Sequence, residues 1–305
     1  MTTRQHTEAQ APATPIAADP VIEPIAYRYD RPVAFYSLAG LVTWLCWVAA
    51  GWLSHRTGQG DAVRWATVVL GLAGLAAPVG VAAWLMRGRP QLWADVRSRL
   101  LWRRGSSARH LALSVLLLPA SLMAAQAISL LFGGSADQFQ LRDHWSFSSG
   151  LLPVWVILGL APVIEELAWH SYGTDTLITR MRLLTASLVF TVFWTVWHVP
   201  LALVKGYYQA QLVEQGWLDA LNFPLSMIAF VLLMNWLYYR TGRCITVAIL
   251  FHLSANYVNE IFRTEPDTKI IQTALLLVVA AVVVQRERGL FFARPRRTAE
   301  APVAG

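Results

Sequence analysis

Lysine is nearly absent from this chain: of its 25 basic residues only Lys205 and Lys269 are lysines, and the rest are arginines gathered in a few short connecting segments. Charge as a whole is scarce, at 14% of residues against roughly 25% in a soluble domain. A basic patch that binds nucleic acid is therefore not the reading of the +7 net charge, because such a patch clusters on one folded surface rather than between apolar runs. Cysteine is limited to Cys46 and Cys244, each at or inside an apolar run, which excludes a disulfide framework and a cysteine-based metal site. No His-Glu-x-x-His helix is present, no internal repeat is evident, and no signal peptide precedes the first apolar run at Val33.

What remains is hydrophobic: 56% of residues, with a mean hydropathy of +0.45. The expected fold class is all-α, a polytopic transmembrane helix bundle of about eight spans. The runs place them at Val33–Leu53, Arg64–Met86, His110–Phe132, residues 151–179 as one long tilted helix, Leu183–Val204, Leu221–Tyr239, Cys244–Phe262 and Lys269–Gln285. Gly71, Gly74 and Gly80 in the second span are the small residues that let membrane helices approach closely. Residues 1–30, rich in Ala, Pro and Thr, read as a disordered tail, and residues 286–305 as a basic one. Residues 31–285 form the membrane domain.

Arginine sets the orientation. Arg87–Arg109 holds seven arginines against Asp95 alone, and Arg180 with Arg182, Arg240 with Arg243, and the segment from Arg286 to Arg297 repeat the pattern on alternate connections. By the positive-inside rule these connections, and both termini, are cytoplasmic.

Inside the spans lie polar residues that a bilayer tolerates only for a reason. Ala161–Gly173 carries Glu165, Glu166 and His170; the next span carries His198 before Pro200; the seventh carries His252 and Asn256, four apart on one face. Their depths, roughly 13–22 Å from the basic ends, let all of them meet in one intramembrane cavity. Two adjacent buried carboxylates can hold one proton and offer one base. Histidines and an amide nearby can position water, donate to an oxyanion, or ligate a metal. Together they describe hydrolysis of an amide bond within the membrane. Taken singly, the glutamates could be a structural ion pair, His198 a packing histidine, and His252 with Asn256 interhelical glue. Most of the 14 tryptophans read as interface belt or packing, and none is assigned to catalysis.

The ordered set Glu-Glu-x-x-x, then His-x-Pro, then His-x-x-x-Asn, across roughly Leu151 to Asn259, resembles the CPBP intramembrane proteases, which include the type II CAAX prenyl endopeptidases and the Abi proteins. The resemblance places the protease-like core at 151–262 in a bacterial cell membrane. It implies an endopeptidase acting on a membrane-associated, CAAX-type or lipidated protein, with the lipid bilayer as its other partner and no nucleic acid. Carried over, Glu165 corresponds to the water-activating glutamate, Glu166 to its partner, His198 to the first catalytic histidine, and His252 with Asn256 to the oxyanion pair. Zinc, if bound, would take Glu165, His198 and His252. Two positions depart from the pattern: His170 stands where the family has arginine, and Trp194 where phenylalanine is usual. Beside the endopeptidase stand two other functions, a non-catalytic Abi-like membrane partner or immunity protein and a proton-coupled transporter.

Overall fold

The computed structural model describes residues 23–56, 60–101, 108–145 and 152–294. Within a bilayer every backbone N–H and C=O must be bonded internally, so long apolar runs fold as helices. Seven are long and apolar enough to cross a membrane among the described residues: α1 (Pro32–Ser54), α2 (Asp61–Leu85), α4 (Ala108–Ser129, extended by a 3-10 turn to Phe132), the stretch Val154–Ile178, α7 (Leu183–His198, extended to Leu203), α9 (Trp217–Arg240) and α11 (Pro266–Arg286). The expected span Cys244–Phe262 is α10 (Ile245–Ile261), 17 residues long, packed on α4, α5 (Val154–Ala168) and α9. The chain is thus an all-α, multi-pass membrane protein. Leu41, Leu45, Val69, Leu116 and Val192 are exposed on its flanks, as lipid-facing side chains should be. Trp52, Trp65, Trp155 and Trp217 are exposed near helix ends, the belt expected at an interface.

The two ends of the bundle can be told apart by their cross-links. At one, His55 Nε2 donates to the Leu203 carbonyl and the Lys205 amide to Ser54 Oγ, while the Arg142 amide donates to the Ile261 carbonyl. At the other, Arg89 pairs with Asp30, Arg240 with Glu287, and Arg243 with Asp95.

Residues 87–109, read above as a loop, contain α3 (Pro90–Leu100), which packs on α10 and on the turn at Pro24–Arg28. Part of the expected N-terminal tail is also ordered: Tyr29 is fully buried and donates to Asp95 Oδ2 at 2.6 Å. Residues 1–22 lie outside the described residues. So do 295–305, although Arg288–Phe291 forms a last helical turn that buries Leu290 and Phe291.

Proline shapes the bundle by removing hydrogen bonds. Pro78 inside α2 has no N–H for the carbonyl four residues back, and that carbonyl, on Gly74, accepts from Thr43 Oγ1 of α1 at 2.8 Å. Trp47 of α1 packs against the same glycine and donates to the Gly71 carbonyl at 2.9 Å. Of the three glycines expected to permit close approach, only Gly74 does so. A Cβ there would sit 2.3 Å from Trp47 Nε1, whereas Gly71 and Gly80 have nothing within 4 Å. Gly74→Ala is expected to cost about 1–3 kcal/mol through overpacking, read as a lower Tm in detergent, while Gly80→Ala leaves Tm unchanged.

Candidate active site

The stretch expected as one long helix is three pieces. α5 ends at Ala168, a single π turn covers Trp169–Gly173, and α6 (Thr174–Ile178) resumes α geometry. Such π turns widen a helix at functional positions, and this one holds His170. Its loosened carbonyls are taken up from outside. Arg99 of α3 donates to the carbonyls of His170 at 2.9 Å and Ser171 at 3.1 Å, Tyr238 of α9 donates to His170 O at 2.8 Å, and Thr174 Oγ1 donates to Trp169 O.

Arg99 and Arg243 belong to a buried ion cluster. Arg99 reaches Asp175 at 2.9 Å and Asp95 at 2.8 Å, and Arg243 pairs with Asp175 and Asp95. Asp175 is fully buried and Arg99 is 2% exposed. Burial opposes the charge on Arg243, and Asp175 with Tyr238 beside it more than offsets this, so its guanidinium is held well above its ordinary value. The sequence marked Arg99 only as one arginine of a cytoplasmic connection and did not single out Asp175.

Above this plug the expected site residues converge. Glu166, fully buried, accepts from His252 Nδ1 at 2.7 Å through one oxygen and from His170 Nδ1 through the other. His170 Nε2 faces Asn235 Oδ1 at 3.0 Å, and Asn235 donates in turn to Ser187 Oγ at 2.9 Å. Both ring nitrogens of His170 therefore point at acceptors, and the ring serves both only when each carries a proton. In that state it offers Glu166 the positive charge that an arginine would supply.

Glu165, one residue away, turns elsewhere. Its Oε2 accepts from Trp194 Nε1 at 2.9 Å and from Trp169 Nε1 at 3.4 Å. The Trp194 carbonyl accepts from His198 Nδ1 at 2.7 Å, which fixes the tautomer and makes Nε2 the lone-pair nitrogen. The same indole meets the His252 ring edge-on, with centroids 5.3 Å apart. Trp194 thus touches all three of Glu165, His198 and His252, whereas the sequence marked it only as a departure from the family's phenylalanine and gave it no part in the site. The available signal was an indole N–H on the helix face one turn before His198.

Asn256 is held by a second proline effect. Pro162 in α5 leaves the Leu158 carbonyl without its helical donor, and Asn256 Nδ2 points to it at 3.4 Å. Glu165, His198, His252 and Asn256 line a cavity of about 500 Å³ whose walls include Trp47, Leu72 and Leu75. His198, His252 and Asn256 also line a second cavity of about 360 Å³, between α9, α10 and α11. Glu166 and His170 lie behind these groups. Although Glu165, His198 and His252 share a cavity, no three His, Cys, Asp or Glu side chains converge as metal ligands among the described residues. As arranged, they do not fit a shared ion.

Trp194→Phe is expected to lower kcat by roughly tenfold, the value of one hydrogen bond to a charged acceptor, with KM little changed. An unchanged kcat would show that Glu165 does not need the indole.

A family model described as type II CAAX prenyl endopeptidase, Rce1-like, matches residues 147–258, the segment that holds Glu165, Glu166, His170, Trp194, His198, His252 and Asn256. A CAAX prenyl protease 2 of Methanococcus maripaludis is 32% identical over 269 residues, covering 88% of this chain and 97% of that relative. These likenesses, in a multi-pass membrane protein, support the class of intramembrane endopeptidase. The chain belongs to the type II CAAX prenyl endopeptidase family.

Proposed function

We propose that this protein hydrolyses a peptide bond in a membrane-associated, CAAX-type or otherwise lipidated protein, with a water activated by Glu165. The observation that carries the reading is the division of labour between adjacent glutamates. Glu166 has both oxygens engaged by histidines, whereas Glu165 has both its tryptophan donors on Oε2, so that Oε1 is available to a water.

In this scheme Glu165 takes a proton from water as the water oxygen bonds to the scissile carbonyl carbon. His198 Nε2 orients that water by accepting its other hydrogen. The developing oxyanion faces the Asn256 amide and His252, whose ring charge, when Nε2 is protonated, is balanced by Glu166. The proton held by Glu165 passes to the leaving nitrogen as the C–N bond breaks. The test is cleavage of an internally quenched, lipid-anchored peptide by purified protein in detergent. Absence of turnover from a folded preparation would leave the non-catalytic membrane partner in its place. Loss of turnover in chelator and its return with zinc would make Glu165, His198 and His252 metal ligands instead.

His170 provides a second check. His170→Arg is expected to keep activity, because a guanidinium can donate to Glu166 as the ring does, while His170→Ala depresses it. Wild-type turnover in the alanine variant would reduce His170 to a packing residue.

A further inference from the structure

Two cavities meet at the reacting groups, and their walls differ. The first, of about 500 Å³, reaches Glu165 between apolar side chains of α1, α2 and α5, among them Trp47, Leu72, Leu75 and Ile157. The second, of about 360 Å³, shares His198, His252 and Asn256 with it, but its other walls carry amides and charge, including Asn222, Gln272, Arg142 and Lys269, with Phe223 and Phe230 among them. An extended peptide presents one N–H and one C=O per residue, and side-chain amides can meet both. The first cavity therefore suits the lipid-bearing part of a substrate and the second its free chain.

The charge of the second cavity is unbalanced. Arg142 and Lys269 are half-buried in its wall, and Asp219 is the one acid lining it among the described residues. Asp143, the acid next to Arg142 in the chain, pairs with Arg263 instead. Arg142 Nε is buried with no hydrogen-bond partner among the described residues, and Lys269 Nζ rests 5.7 Å from the Tyr208 ring centroid. Two cations drawn partly out of water without carboxylates of their own gain most from an anionic ligand.

Their distance from the reacting groups says which anion. The Arg142 amide donates to the Ile261 carbonyl at 2.7 Å, and Ile261 lies five residues beyond Asn256 on α10. Five residues of helix rise about 7.5 Å, and an extended peptide covers about 3.3–3.6 Å per residue. A carboxylate at Arg142 is thus about two or three residues from a carbonyl held at Asn256. In a C-a-a-X terminus three residues follow the lipidated cysteine, and the last ends in a free carboxylate.

We infer that the second cavity captures the free C-terminal carboxylate of the substrate through Arg142 and Lys269, and so fixes the cut about two or three residues from the end of the chain. The position of the cut rests on the peptidase reading above; capture of the carboxylate does not.

The test separates the two. Two lipidated peptides, each with three residues after the lipidated cysteine, differ only in ending as carboxylate or as carboxamide. Their affinities for the full-length Glu165→Gln protein in detergent are read by fluorescence anisotropy, which needs no turnover. The carboxylate peptide is expected to bind about tenfold more tightly, as a hydrogen bond between charged groups allows, and Arg142→Gln with Lys269→Gln should bring the ratio close to one. Arg142→Lys with Lys269→Arg keeps both charges and should keep most of the preference. Equal affinity for the two peptides, or a preference that survives loss of both cations, overturns the inference. In a second arm the unaltered protein is given peptides with two, three or six residues after the cysteine. Highest kcat/KM at two or three supports the fixed distance, and a rate indifferent to length overturns it. Lack of turnover with every peptide would remove the peptidase reading while the affinity ratio still decides carboxylate capture.

Discussion

Glu165→Gln is expected to abolish peptide cleavage while the protein still folds. Glutamine has nearly the shape of glutamate and its Oε1 can still accept from Trp194 and Trp169, the two indoles that hold the side chain. What it cannot do is take a proton from water. General-base catalysis is worth roughly 10²–10⁴-fold, and the loss should fall on kcat with Tm in detergent near that of the unaltered protein. His198→Ala should lose a comparable factor, since the bond from His198 Nδ1 to the Trp194 carbonyl leaves Nε2 with its lone pair toward the cavity. Near-normal turnover in either variant would sink the scheme in which Glu165 and His198 share a water.

Arg99→Met should act on folding instead. The guanidinium serves two carboxylates, two hydroxyls and two carbonyls of the π turn. Removing one partner from a buried pair costs about 3–5 kcal/mol, because the charge left behind is uncompensated. A fall in Tm of roughly 10 °C or more in detergent follows from a loss of that size, and Arg99→Lys should restore only part of it, since an ammonium cannot fork between Asp175 and the carbonyls. An unchanged Tm in Arg99→Met would show that Arg243 alone neutralises Asp175 and Asp95.

Much of this was legible in the chain. Apolar runs separated by arginine gave the spans to within a few residues because the bilayer leaves a long apolar segment one folded option. Glu165, Glu166, His198, His252 and Asn256 stood out because polar residues in such runs are rare, and the structure brings all five to one place. Hidden were the parts that depend on geometry across elements. Arg99 looks like any of the seven arginines of its segment, and only the packing of α3 on α10 and the Pro24–Arg28 turn shows that it is buried while Arg97 is not. Asp175 sits in a stretch of falling hydropathy that reads as a helix end. Trp194 is one indole among many, and its N–H matters only because Glu165 of another helix lies opposite. A π turn has no composition of its own.

That π turn sets the angular phase of the whole segment. In an unbroken α-helix each residue turns the chain by about 100°, so a turn closed by i→i+5 bonds in place of i→i+4 acts as one inserted residue. Upstream of it Glu165 faces the cavity; downstream of it Asp175 faces Arg99 and Arg243. Deleting a single residue between Trp169 and Gly173 would restore uniform winding and swing one of these faces off its partners. The segment therefore behaves as two registers joined by a fixed offset, and its length is under tighter constraint than the identity of most residues within it.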